Sequence, residues 1–193
     1  LSIRRQRQMC IRDSYDSLFK LVIITVHALG TYVAPERIFT YGISTIHDSD
    51  IQYARERNVK IKLVAQVVKV SDEHFTMFVM PEFVTPAKYI YSVDDEYNGV
   101  VIRGECYDRQ FMFGKGAGSL PTASAVLGDL ISIARQNNKL NSGFVKQVLP
   151  QADILPPEEA CSTYYMRFMV KDDPGVLRDL SGALSDQGVS IAQ

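Results

Sequence analysis

Three groups of residues in this sequence have the types and spacing for chemistry. Asp16 and Lys20 stand four apart at the start of an apolar stretch, so on a helix both project from one face. The simplest role for such a pair is a surface ion pair contributing about 0.2–0.5 kcal/mol. Its neighbours Leu18, Phe19, Leu21, Val22, Ile23, Ile24 and Val26 point to more, because an ammonium on so apolar a helix is at risk of desolvation. Desolvation lowers a lysine pKa and an adjacent carboxylate raises it. A lysine poised between the two can exchange protons with a substrate hydroxyl.

The second group is Gly114-Lys115-Gly116-Ala117-Gly118-Ser119-Leu120-Pro121-Thr122-Ala123-Ser124, where a strand feeds a glycine loop and the loop feeds a helix. Such a loop admits a ligand close to the backbone, and a helix start offers N–H groups. It is not a dinucleotide fingerprint: Ser119 stands at the third glycine position, the loop follows a hairpin, and no ribose-binding acid sits at the expected distance. By itself it is as readily a structural turn as a binding one. The third group is Asp172-Asp173-Pro174-Gly175-Val176-Leu177. A cap with proline in the first helical turn accounts for Asp and Pro. It does not account for Gly175, since glycine at a helix start costs about 1 kcal/mol against alanine.

Residues 16–29 read as a helix apolar almost all round, hence a buried core helix, with Gly30 as its stop. A short helix is expected over 48–57, capped at His47 or Asp48. Val59, Ile61, Leu63, Ala65 and Val67 alternate with Lys60, Lys62 and Gln66, the pattern of a half-buried strand. Residues 75–80 read as its partner, ended by Pro81. Residues 100–106 and 109–113 read as a hairpin around Tyr107-Asp108. Ala123, Val126, Leu127, Leu130, Ile131 and Ala134 repeat at helical spacing just after Pro121. Pro150, Pro156 and Pro157 mark a linker over 141–162. A new unit then begins, with a strand over 164–170, a helix over 174–185 and another strand from Val189. The expected organisation is a tail (1–14), an α+β domain with an open mixed sheet (15–140), the linker, and an incomplete β-α-β unit (163–193).

Composition narrows the function class. Hydrophobic residues make up 46% and charged residues 22% of the 193 residues, as in ordinary globular proteins. No apolar run reaches the roughly 18 residues of a membrane helix. Cys10, Cys106 and Cys161, and His27, His47 and His74, lack ligand spacing, so neither a disulfide framework nor a metal site is expected, and a reducing, cytoplasmic setting is the default. The tail reads RRQRQMCIRD over residues 4–13, which resembles the translation of a sequencing-library transposon adapter and is set aside as non-native. Without residues 1–14, Lys+Arg falls from 21 to 17 and Asp+Glu from 22 to 21, a net charge of −4 instead of −1. Nucleic acid is thus an unexpected partner, and the native N-terminal part is expected to lie outside this sequence.

Taken in order, the pieces resemble homoserine dehydrogenase. Tyr15-Asp16-Ser17-Leu18-Phe19-Lys20-Leu21 resembles the family's G-x-D-A-x-x-K-L helix, Gly42-Ile43 with Ile46 its G-I-x-x-I segment, and Lys60-Ile61-Lys62-Leu63-Val64-Ala65 the strand after it. Gly116-Ala117-Gly118-Ser119-Leu120-Pro121-Thr122-Ala123-Ser124-Ala125-Val126 resembles its G-A-G-x-x-P-T-A-S-A-V loop and helix. The Asp-x-Pro-Gly-Val-Leu run resembles the opening of a ferredoxin-like ACT domain. The resemblance implies that Lys20 is the catalytic acid/base, that Asp16 binds substrate, and that Gly118 contacts the cofactor, NADP or NAD. It further implies that Asp173, Pro174 and Gly175 meet an amino-acid effector, threonine foremost. The substrates would be L-homoserine and L-aspartate 4-semialdehyde, and the protein a homo-oligomer, dimer or tetramer. Ser14 stands where the family has glycine. The family's upstream glutamate, its second aspartate and its nucleotide-binding domain have no counterpart here, so this polypeptide alone is expected to be inactive. The rival reading is a non-catalytic dimerisation and amino-acid-sensing module.

Overall fold

A computed structural model describes residues 14–71, 74–135, 153–156, 159 and 162–191. The expected tail, Ser14 apart, lies outside the described residues, as does most of the expected linker. The chain divides into two compact units, Leu1–Ala160 and Cys161–Gln193.

The first unit opens with helix α1, Tyr15–Leu29. It has no Gly or Pro, and the N–H of Gly30 closes it on the carbonyl of Val26 at 3.1 Å. Leu18, Leu21, Val22 and Thr25 are its buried residues, a single stripe at helical spacing. Thr25 is tolerated there because its hydroxyl donates to the Leu21 carbonyl at 2.8 Å. The expectation of a helix buried all round is corrected: Tyr15, Phe19, Ile23 and Ile24 on the other faces are exposed.

Strand β1 is Phe39–Thr40, followed by helix α2, Asp48–Glu56, capped at His47. There the Asp50 carboxylate accepts the His47 N–H at 2.8 Å, satisfying one of the helix-start donors. Strands β2, Lys60–Lys69, and β3, His74–Val84, pair antiparallel from Lys60↔Val84 to Lys69↔Phe75. On the other edge of β3 lie two parallel partners, β1 at Phe39↔Phe78 and β6, Asp153–Ile154, at His74↔Asp153. The result is a mixed sheet, with β6 arising inside the span read as a linker.

Pro81 does not end β3. It sits opposite Leu63 inside the ladder. The Val79 carbonyl accepts the Tyr41 N–H at 2.7 Å and so points toward the β1 edge. Backbone groups two residues on point the same way, which places the Pro81 nitrogen beyond the end of β1 and outside the β2 ladder. A missing N–H is harmless there.

The core forms where α1 meets this sheet: Leu18, Leu21 and Val22 pack with Val33, Ile38, Phe75, Met77 and Val79. Each such burial contributes about 1.5–3 kcal/mol. Strands β4, Tyr97–Gly104, and β5, Asp108–Lys115, form a separate hairpin. Helix α3 then spans Ser119–Arg135, beginning two residues before Pro121 rather than after it. Proline is accepted in a first turn because its N–H would have no intrahelical partner. None of the residues of α3 is buried.

In the second unit, helix α4 spans Val176–Asp186 behind Gly175 as its cap. Pro174 therefore lies outside the helix. Residues 162–173 and 189–191 belong to no strand, contrary to expectation. Alternating apolar residues favour extended backbone, but a strand is made by its ladder, and no ladder forms at these residues.

Candidate active site

The first two turns of α1 bring Asp16 and Lys20 together. Lys20 Nζ lies 2.8 Å from Asp16 Oδ2, with side chains 57% and 46% exposed respectively. The expected desolvation of Lys20 is corrected: four residues at 100° each leave both groups on the face opposite Leu18 and Leu21. That face, with Phe19 and Ile23 beside the pair, offers an ammonium flanked by apolar surface and pre-oriented by a carboxylate. An arrangement of this kind can hold a small polar substrate and pass a proton to one of its oxygens.

The entry to α1 is strained. Ser14 is fully buried, at φ +66° and ψ 4°, a left-handed conformation that costs an L side chain about 1–2 kcal/mol. Its carbonyl accepts the Leu18 N–H at 2.9 Å, and its hydroxyl donates to the Tyr41 carbonyl at a long 3.4 Å. The position calls for glycine.

The glycine loop joins β5 to α3. Gly118 has φ +124°, which only glycine adopts readily. A Cβ there would meet Pro121 Cδ at 3.5 Å, and one on Gly114 would meet nothing within 4 Å. The backbone is thus open at Gly114, whereas at Gly118 a side chain would rest against Pro121. Gly116 is bare for another reason: a Cβ would overlap the Asn98 amide nitrogen at 1.6 Å. The Gly116 N–H donates to the Glu96 carbonyl at 3.0 Å. Lys115 bonds the Glu96 carboxylate at 2.8 Å and lies over the Tyr97 ring at 5.5 Å. That hydrogen bond from Lys115 is the main reason the Glu96 carboxyl is held below its ordinary range; the same bond raises Lys115. No described hydrogen bond or ion pair links Gly118 to the Asp16–Lys20 pair.

Asp94, which the sequence pattern did not single out, fixes the start of this hairpin with two lysines of β2. Lys60 Nζ is 2.6 Å from Asp94 Oδ2 and Lys62 Nζ is 2.5 Å from Asp94 Oδ1. The signal was available: two lysines at i and i+2 share one face of β2, and together they require a counter-charge.

In the second unit, Gly175 has φ +95°, which explains a glycine next to Pro174. An open depression of about 610 Å³ surrounds this turn, lined by Asp172, Asp173, Pro174, Gly175, Leu177 and Arg178 among others. The start of α4 carries helix-end N–H groups, although that of Val176 points to the Asp173 carbonyl at 3.4 Å. Among the described residues, no three His, Cys, Asp or Glu side chains gather as a metal site. No described helix is long and apolar enough to cross a membrane.

Comparison with known proteins supplies the remaining observation. The sequence model of the family described as homoserine dehydrogenase matches residues 13–131, a span holding both the Asp16–Lys20 pair and the glycine loop. The homoserine dehydrogenase of Pseudomonas aeruginosa is 31% identical over 185 residues, covering 93% of this chain and 42% of that protein. That of Neisseria gonorrhoeae is 32% identical over 185 residues, with the same coverage of 93% and 42%. The crystal structure of a homoserine dehydrogenase from Thiobacillus denitrificans matches with a TM-score of 0.73 at 28% identity, over 94% of this chain and 43% of that one. The chain spans less than half the length of these relatives.

Proposed function

The chain belongs to the homoserine dehydrogenase family, and on that premise we propose that it is the substrate-handling part of an enzyme interconverting L-homoserine and L-aspartate 4-semialdehyde. The observation that carries this reading is the family match over residues 13–131, because that span includes both the Asp16–Lys20 pair and the glycine loop at Gly118.

A bound nicotinamide cofactor, NADP or NAD, would donate hydride in its reduced form and accept it in its oxidised form. In the reductive direction Lys20 Nζ protonates the oxygen that was the aldehyde carbonyl; in the oxidative direction it takes the hydroxyl proton of homoserine. Asp16 holds Lys20 from 2.8 Å and offers its second carboxylate oxygen to the substrate ammonium. Gly118 gives the cofactor flank a surface without a side chain. Apolar Phe19 and Ile23 next to the pair would strengthen these contacts once a neighbouring domain covers them, since charges interact more strongly where water is excluded. The long exposed helix α3 offers apolar surface to the same neighbour.

For the second unit the reading is an ACT-type amino-acid receptor. A zwitterion such as threonine would place its carboxylate at the start of α4 and its ammonium against Asp172 or Asp173. The test of the whole reading is NADP⁺- and NAD⁺-dependent oxidation of L-homoserine by a longer protein that carries this chain behind a nucleotide-binding domain. The 193-residue polypeptide alone serves as the expected inactive control, because holding cofactor and substrate in register accounts for about 7–11 kcal/mol of the barrier. The exposed setting of Lys20 is also what a non-catalytic module would show, and turnover decides between the two.

A further inference from the structure

We propose that Asp94, gripped by Lys60 and Lys62, is a positioning residue that fixes the glycine loop 116–118 relative to the sheet beneath α1. The proposal rests on the dehydrogenase reading only for what the loop does, not for the grip itself.

After β3 ends at Val84, the chain makes a 3-10 turn at Tyr89–Ser92 before entering the β4–β5 hairpin, which shares no strand ladder with the main sheet. Something other than a ladder must set the angle at which the hairpin leaves. Two lysines of β2 do so. Lys60 donates to the Tyr91 carbonyl at 3.2 Å and lies 4.6 Å above the Tyr91 ring. Lys62 donates to the Val93 carbonyl. Both ammoniums end on the Asp94 carboxylate, one on each oxygen. Lys62 is only 20% exposed, so this contact is less open to screening by water than a fully exposed ion pair.

From Asp94 the linkage runs to the loop in two short steps. The Tyr97 N–H donates to the Asp94 carbonyl at 3.2 Å, closing a tight turn in which Asp95 takes φ +56°. That turn presents Glu96, whose carbonyl receives the Gly116 N–H and whose carboxylate receives Lys115. The hairpin is held against the same segment from its other side: Tyr89 stacks on Phe111 with ring centroids 5.6 Å apart. Gly99 is bare where Val93 and Phe111 converge, since a Cβ would come within 2.7 Å of Val93 Cγ2 and 2.8 Å of Phe111. The loop therefore inherits its position from β2 through Asp94 and Glu96, and β2 is a strand on which α1, with Asp16 and Lys20, packs. One continuous path of contacts thus joins the Asp16–Lys20 helix to the glycine loop.

The test uses Asp94→Asn, Lys62→Met and Asp94→Glu. Hydrogen exchange of the 193-residue chain reads loop amides 115–118 and, as an internal reference, the α1 amides of Leu18 to Thr25. Asp94→Asn and Lys62→Met should speed loop exchange by roughly two- to fivefold, the range that exposed ion pairs give, with α1 unaltered. Asp94→Glu keeps a carboxylate within reach of both ammoniums and should behave as the parent. In the longer, active protein the two neutralising variants should raise the cofactor KM by a similar factor while kcat stays near the parent value. Parent-like loop exchange in both variants overturns the grip, and so does equal acceleration in loop and α1. Faster loop exchange with an unchanged cofactor KM overturns the link from grip to cofactor. If the longer protein turns over no homoserine at all, the dehydrogenase reading fails while the exchange data still decide the grip.

Discussion

Lys20 Nζ lies 2.8 Å from Asp16 Oδ2 on the face of α1 opposite the core, so the pair can be altered without touching what holds the helix in place. Lys20→Ala removes an exposed i,i+4 ion pair worth about 0.2–0.5 kcal/mol, and the melting temperature should move by less than about 2 °C. In the longer protein kcat for homoserine should fall roughly 10²–10⁴-fold, the contribution of a general acid–base group. Steady-state kinetics beside a thermal melt separates the two effects. A Lys20→Ala enzyme with near-parent kcat assigns the proton transfer elsewhere.

Gly118 combines a left-handed φ of +124° with ordinary contact to Pro121, whose Cδ lies 3.5 Å from where a Cβ would stand. Gly118→Val should therefore carry a backbone cost of about 1–3 kcal/mol and also put a side chain between loop and cofactor. Gly118→Ala carries a smaller backbone cost, since a β-branched side chain is the harder one to place at positive φ, and adds little bulk. The expected signature is a cofactor KM that rises much more for Val than for Ala, beyond what the difference in their melting temperatures accounts for. Equal cofactor affinity in the two variants makes the glycine purely conformational.

The parts of this fold legible in the sequence are those fixed by local pattern. Leu18, Leu21, Val22 and Thr25 form one stripe of a helix whose end Gly30 marks, and the alternation around Lys60, Ile61, Lys62 and Leu63 marks β2. Pro81 misled because a proline is judged by which edge its nitrogen faces, and that depends on where β1 ends. Asp153 and Ile154 looked like linker because two residues carry no period; their strand exists only through β3. The run over 164–170 has the period of a strand but no ladder. The Asp16–Lys20 pair was readable from spacing, while its exposure was not, since apolar neighbours on a helix need not all be covered. Asp94 escaped notice because its partners lie 34 and 32 residues away.

Gly175 adopts φ +95° at the start of α4, and a Cβ there would approach an Arg178 guanidinium nitrogen at 3.3 Å. Gly175→Asp would add strain and a negative charge where an effector carboxylate is proposed to sit. The threonine concentration for half-maximal inhibition of the longer protein should rise by about tenfold or more, given that one charge-assisted hydrogen bond is worth roughly 1.5–3 kcal/mol. Gly175→Ala, which adds strain without charge, should raise it less. A parent enzyme indifferent to threonine and to the other end-product amino acids removes the sensing role.

Ser14 is buried in a left-handed conformation with a single long hydrogen bond of 3.4 Å to show for its side chain. Ser14→Gly relieves the steric cost and loosens the unfolded chain somewhat, effects of opposite sign. The first is larger, so a net gain of about 0.5–1 kcal/mol is expected. Urea unfolding should show a higher midpoint with an unchanged slope. A lower midpoint would mean that the hydroxyl's bond to Tyr41 outweighs the strain.

The grip on Asp94 makes a pH prediction whose sign can be worked out. Hydrogen bonds from Lys60, then Lys62, hold its carboxyl at about 2, against 3.8 for the free group. A depressed carboxylate contributes its stabilisation in full above the unfolded value and loses it as pH falls through the folded one. The parent's advantage over Asp94→Asn in urea midpoint should therefore be level from about pH 5 to pH 8 and shrink between about pH 4 and pH 2. The base of the hairpin sets the upper limit. Glu96 is lowered and Lys115 raised by their mutual bond, so that pair contributes fully between the ordinary values of 4.5 and 10.5. Its contribution fades as the solution becomes more alkaline than the raised Lys115. Paired urea titrations of the parent, Asp94→Asn and Lys115→Met across this range separate the two windows. An Asp94→Asn difference that vanishes near neutrality would place the titrating group somewhere other than Asp94.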